Sequence, residues 1–254
     1  MKEGDSVDRS ASFIPGQVSQ MKLRLAWASV DISTANVAEI EVSVAGSDED
    51  VAALRMELSD TQLLLEQPAL GLKRRMLTTN RWMHIIIRIP AAWRGAVDAS
   101  TISGKLSMCG VSGTDLLLET ISGPLCAELL TGIQVKLTST SGNIQASMLK
   151  GDKLSLTTVS GDVQADGCRF DSYRCNSVSG NVTIEALDSF DRISIKAVSG
   201  DVQLTIPYDR ADAALRSVSG RVRTNYVSLV DNAPRISAST VSGDLTISYQ
   251  QHTN

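Results

Sequence analysis

A Ser-Gly pair, preceded by Val, Ile or Thr and followed two residues on by an aliphatic residue, recurs at Gly104, Gly123, Gly142, Gly161, Gly180, Gly200, Gly220 and Gly243. The successive spacings are 19, 19, 19, 19, 20, 20 and 23 residues. A period near 20 confines the chain to a repeat architecture, because a unit that short cannot bury its own apolar face and must stack on its neighbours.

Counting from each glycine gives the geometry of one unit. Positions seven and five before it are apolar, as in Leu116 and Leu118, Leu154 and Leu156, or Ile193 and Ile195; positions two and four after it are mostly so, as in Val182 and Ile184. Spacing of two is the strand period. Each unit therefore reads as a strand, a corner at Ser-Gly, a second strand, and a looser return turn that often carries another glycine (Gly113, Gly132, Gly151). The aliphatic residue two before the glycine, such as Ile102, Val159 or Val198, is read as inward, with the parity shifting at the corner. Glycine suits the corner through access to φ > 0, the Asn or Asp after it through local bonding, and the serine as a cap. The expected fold is an all-β parallel solenoid with about 20 residues per coil, eight coils spanning about 38 Å at strand spacing.

Residues 1–17 read as a disordered tail. Residues 18–96 alternate as strands without the repeat and are read as an irregular, β-rich N-terminal cap. Residues 97–249 form the eight-coil region, with a loop insertion expected near 230–234, and 250–254 a polar tail. Residues 48–59 fit two patterns: Ser47 with Asp50 opens a helix, whereas Leu54, Met56 and Leu58 continue a strand, and the all-β surroundings favour the strand. A basic cluster at Lys73, Arg74, Arg75 and Arg81 reads as a solvated loop.

The repeated V-S-G-D-V phrases, together with the strand IIIRIP that precedes them, resemble the bacterial putative-adhesin domain family of β-strand repeats. That resemblance covers about Val18 to Tyr249 and implies a right-handed β-solenoid of unknown function with a binding, adhesive or scaffolding role, often envelope-associated. It supplies no catalytic residues. Lys105, Pro124 and Arg221 depart from the phrase, which has Asp or Asn there.

Charge and motif content narrow the function. A net charge of −4 and a pI near 5.3 argue against nucleic acid as the partner. No run of 18 apolar residues spans a membrane, and the first twenty residues lack the basic start and apolar segment of a secretory signal. A cytoplasmic location is the default, an extracellular or envelope one if a leader has been removed. The four cysteines lack metal-ligand or CxxC spacing and read as free thiols, with Cys175 inward and Cys109, Cys126 and Cys168 on outward or turn positions. Asp162, Asp201 and Asp244 read as turn residues, and no cofactor, metal or catalytic motif is found. The candidate ligand face is the outward column three past the glycine, Gln145, Gln164, Thr183, Gln203 and Arg223; a basic column holds Lys136, Arg174, Lys196 and Arg216. The expected function is a non-enzymatic scaffold or adhesin-like binding module for an unknown protein or glycan polymer. A polysaccharide-acting β-helix enzyme and an end-to-end self-assembling protein are the alternatives.

Overall fold

The period-two segments form strands wherever the repeat calls for them, and the Ser-Gly corners turn each repeat from one sheet into a second. The computed structural model describes residues 6–68, 82–225, 227–228 and 234–249. Sheet B takes the strand before each corner: β8 (Ala96–Thr101), β10 (Ser112–Thr120), β12 (Thr131–Ser139), β14 (Lys150–Thr158), the second half of β15 (Val163–Ser179) and β17 (Arg192–Ser199). Sheet A takes the strand after it: β9 (Leu106–Cys109), β11 (Leu125–Glu128), β13 (Ile144–Ser147), the first half of β15, β16 (Val182–Ala186) and β18 (Val202–Ile206). Pairing is parallel and in register, so Val163 faces Val182 and Val182 faces Val202. The chain is a β-solenoid.

Both ends depart from sequential stacking. After β18 the chain forms β19 (Arg210–Ser219), β20 (Val222–Thr224) and the short β21 (Val227–Ser228), then β22 (Arg235–Ser242) and β23 (Leu245–Tyr249). It is β22 and β23 that pair with β17 and β18, while β19 and β20 lie outside them. The spatial order of corners is thus Gly200, Gly243, Gly220. The N-terminal end repeats the device: β2 (Gln20–Leu25) and β3 (Ser29–Ala35) pair with β8 and β9, while β6 (Gln62–Glu66) and β7 (Met83–Pro90) lie outside. Beyond these come antiparallel strands: β4 (Ile40–Ser47) on β7, β1 (Ser6–Phe13) on β4, and β5 (Arg55–Ser59) on β6. Residues 6–13, read as tail, are therefore a sheet strand.

The ambiguous stretch divides. Residues Asp48–Ala53 form the helix α1 with Ser47 at the N-cap, its Oγ donating to Asp50 Oδ2 at 2.6 Å in place of a bond to a backbone amide. Strand begins only at Arg55. The preference for strand throughout is corrected over 48–53, where Val51 is buried in the core. The basic cluster of Lys73, Arg74, Arg75 and Arg81 lies outside the described residues, as do most of the 230–234 insertion and the 250–254 tail.

Inside, aliphatic columns seven and five before and two and four after the glycine line the tube, with Val135, Leu137, Ile144 and Ile193 fully buried. One column is corrected. Inward parity continues without a shift to the residue three before the glycine, a buried Thr or Ser (Thr101, Thr120, Ser139, Thr158, Ser177, Thr240). At three corners the threonine hydroxyl takes the glycine amide: Thr101, Thr120 and Thr158 Oγ1 accept from Gly104, Gly123 and Gly161 at 3.2, 3.0 and 2.9 Å. The residue two before the glycine points out. Ile102, Ile121, Val159, Val178, Val198, Val218 and Val241 are all exposed.

The glycine requirement also differs from expectation. Only Gly180, Gly200 and Gly243 among the corners have left-handed φ, at 120°, 120° and 135°. What excludes a side chain in the others is the adjacent coil. A Cβ on Gly123 would overlap the carbonyl oxygen of Gly104, one on Gly142 that of Gly123, and one on Gly161 that of Gly142. The left-handed residues of the return turns are Gly110, Leu129, Met148 and Gly167, with φ of 71°, 53°, 55° and 65°.

The return corner carries its own buried column, Val111, Leu130, Leu149 and Cys168. This moves Cys168 from its expected turn or outward position into the core, beside the inward Cys175. Tyr173 lies between them, donating to the Cys168 carbonyl at 2.8 Å and accepting from the Phe170 amide at 3.0 Å, and packing edge-on against Phe170 and Phe190. Burial pushes both thiols from 9.0 up to about 12.

Four outcomes are expected. Gly161→Ala should lose about 2–3 kcal/mol in chemical denaturation, as overpacking against backbone does, while Ser160→Ala stays within about 0.5 kcal/mol. Met148→Gly, which removes the left-handed strain on a half-exposed side chain, should gain about 1 kcal/mol, and Met148→Val should lose stability. In the folded protein a thiol reagent should label Cys109 and Cys126 and spare Cys168 and Cys175. Because the buried thiols ionise first in the unfolded chain, their contribution to stability is intact below pH 9.0 and declines from there towards about pH 12.

Candidate binding faces

Strand alternation that buries one side of each sheet presents the other as a flat, regularly spaced surface. On sheet A the column three past the glycine runs Cys126, Gln145, Gln164, Thr183 and Gln203 in direct register. The coil exchange then interposes Thr246 between Gln203 and Arg223. Gln145, Gln164, Thr183 and Gln203 thus form a continuous row, and Arg223 stands apart at the outermost coil, near Asp244 at 3.9 Å. Beside the row lies a second column, two residues on, with Glu128, Ser147, Asp166 and Glu185. The two columns border a shallow depression of about 280 Å³ between Cys126 and Asp166. Gln164 Nε2 donates to Asp166 Oδ2 at 2.7 Å, and Cys126 Sγ approaches Gln145 Oε1 at 3.7 Å. The amides are held within the face and keep free donors and acceptors towards solvent.

The residue after each corner glycine forms a ladder. Asn143, Asp162, Asn181 and Asp201 Oδ1 each accept the amide of the equivalent residue one coil on, at 3.0, 2.7, 3.0 and 2.8 Å, and Asp244 Oδ1 accepts that of Arg221 at 2.9 Å. The side chains are structural. The three departures now have reasons. Pro124 has no amide to satisfy, so Lys105 before it needs no acceptor, and Arg221 ends the ladder.

On sheet B the column of Lys136, Arg174, Lys196 and Arg216 is joined by Lys153, Arg192 and Arg235, eight before their glycines and on the same face by parity. Extending the count by one strand period would have found them. A depression of about 410 Å³ lies among Arg192, Ser194, Lys196, Asp212 and Arg235.

Groups suited to acid–base chemistry do not converge among the described residues. The closest pairing is His84 Nε2 with Asp31 Oδ2 at 2.6 Å, with Lys105 Nζ at 3.9 Å from the same carboxylate, on the flat outer side of sheet A. Among the described residues no three His, Cys, Asp or Glu side chains are placed to share a metal ion, and no helix is long and apolar enough to cross a membrane.

Solved structures share this architecture. A putative adhesin from Parabacteroides distasonis ATCC 8503 aligns over 98% of both chains with a TM-score of 0.64 at 12% identity. A putative adhesin from Parabacteroides merdae ATCC 43184 aligns over 98% of both with a TM-score of 0.54 at 10% identity. A putative lipid binding protein from P. distasonis aligns over 98% of both with a TM-score of 0.51 at 14% identity. The comparison with curated proteins finds no match. Residues 18–254 match the Toastrack DUF4097 family, a domain family of unknown function, and the chain belongs to it.

Proposed function

We propose that this chain is a non-enzymatic, adhesin-like binding module that offers the outer face of sheet A to an extended glycan polymer. The observation that carries the reading is the row Gln145, Gln164, Thr183, Gln203: four consecutive coils present amide or hydroxyl groups at strand spacing, about 4.8 Å apart. A stiff ladder loses little freedom when it binds, so repeated weak hydrogen bonds add up. The names of the similar structures, two putative adhesins and a putative lipid binding protein, agree with a binding role.

A hydrolytic reading needs paired carboxylates facing each other across a substrate. Glu128, Asp166 and Glu185 instead stand in one column on a flat surface. End-to-end assembly needs matching coil edges, and the antiparallel strands β1, β4 and β5 cover the N-terminal end with a different pairing.

Equilibrium binding to a panel of immobilised polysaccharides tests the proposal. Saturable binding without release of reducing ends is expected, and Gln164→Ala combined with Gln203→Ala should weaken it about tenfold. Unchanged affinity in that variant, or turnover that disappears with Asp166→Asn, overturns it.

A further inference from the structure

The outward side of sheet B carries a pattern that folding does not require. From β12 to β19 six consecutive coils each contribute a cation: Lys136, Lys153, Arg174, Lys196, Arg235 and Arg216. None makes an ion pair with a described carboxylate. Asp212 is the one acid at the corresponding outward positions of those strands. The matching strands of sheet A carry Asp166 and Glu185, with Arg223 on the outermost coil.

Along one margin of the same face runs the exposed aliphatic column two before the glycines, its members 42–72% accessible. Two residues separate Lys196 from Val198 and Arg216 from Val218, so by strand parity they share a side. The column is aliphatic in seven of eight repeats, Thr140 being the exception. The neighbouring position four before the glycine varies freely through Ser, Glu, Thr, Asn, Lys and Arg. Stacking at a sheet margin is met as well by Thr, and core packing is not involved, so the uniformity points outward. Across the face the order is an apolar margin, then Lys196 and Arg216 about 7 Å behind it, Lys136 and Arg174 about 13 Å, and Lys153, Arg192 and Arg235 about 20 Å, then Asp152, Asp171 and Asp191 at the far return turn, taking about 3.3 Å per residue.

We infer that this face docks edge-on against an anionic lipid bilayer, the Val/Ile margin entering the headgroup boundary and the Lys/Arg rows lying against acidic headgroups. The order apolar, cationic, acidic matches the order of depth at such a surface, and long basic side chains reach headgroups from behind a buried margin. A second copy of the chain is a poor occupant, since two such faces would oppose cation to cation. A soluble polyanion would use the cations and leave the aliphatic margin wet. The inference concerns the face opposite the one proposed for glycan, and the two stand or fall separately.

Co-sedimentation of the full chain with vesicles tests it. Binding is expected to vesicles of phosphatidylcholine with phosphatidylglycerol, to be absent with phosphatidylcholine alone, and to be reversed by high salt. Lys196→Glu with Arg216→Glu should reduce partitioning at least twentyfold, since each cation near an anionic surface is worth roughly fivefold. Val198→Ser with Val241→Ser should reduce it severalfold at unchanged melting temperature, and Gln164→Ala with Gln203→Ala should leave it intact. No binding to the anionic vesicles overturns the inference. So does loss in the charge variant with none in the Val→Ser variant, or binding to soluble polygalacturonate alone, either of which assigns the face to a soluble polyanion.

Discussion

Consecutive corners approach so closely that the carbonyl oxygen of one glycine occupies the space of a side chain on the next. Coils locked this way can neither slide nor tilt without backbone overlap, and the register of both sheets follows. The other corner devices satisfy the polar groups that this approach buries. Thr101, Thr120 and Thr158 take the amides of the glycines three residues on, and the Asx ladder takes the amide after the glycine. At the N-terminal end, where Ala28 stands in the glycine column, the side-chain Oε1 of Gln67 accepts the amides of Ala26, Trp27 and Ala28 at 2.9, 3.1 and 3.3 Å. A buried amide left without an acceptor would cost about 1–3 kcal/mol, enough to unseat a corner.

Much of this was legible because the repeat prints the same physics eight times. The period gave the coil, the spacing of two gave the strands, and the aliphatic columns gave the core. The corner itself misled. A Val and a Thr next to each other offer two parities, and hydrophobicity chose Val as the buried one. At the Gly161 corner the Thr158 hydroxyl takes the glycine amide, so Thr158 is buried and Val159 exposed. A buried polar group with a partner outranks an aliphatic one without a pocket. The helix at Asp48–Ala53 was legible in Ser47 and Asp50 and was set aside because of its surroundings. That was an argument from neighbours against a local signal.

The exchange of coils at both ends could not be read from the repeat. Equivalent corners carry equivalent chemistry, so Gly220 and Gly243 are interchangeable as neighbours of Gly200 on sequence alone. Hints lie in the connections and in what the outer coil lacks. The spacing to Gly243 is longer by three residues than the one before it, room for a return past a coil already laid down. The coil of β19 and β20 has the marks of an edge: Val218 is 72% exposed, β20 spans only Val222–Thr224, and Arg221 closes the Asx ladder. The chain's last strands thereby gain neighbours on both sides, and the exposed edge falls to an internal segment tied at both ends. Loose terminal edges are where repeat stacks fray and recruit other chains. Seating β22 and β23 between two coils gives both strands paired edges.

The same locking separates what the fold fixes from what it leaves free. Corner glycines are invariant across the eight repeats because no other residue fits. The outward position three past them runs through Ser, Cys, Gln, Thr and Arg because nothing there is packed. Net charge is a poor guide to such a surface: a total of −4 coexists with an outward side of β12, β14, β15, β17, β22 and β19 that carries seven cations against one acid. On a flat ladder, charge is organised by strand parity and coil order, and a change of one residue in either would scatter it. The clustering of cations on the outward side of β12 to β19 therefore depends on the register set at the corners. That register turns a mildly acidic chain into a body with two chemically distinct faces.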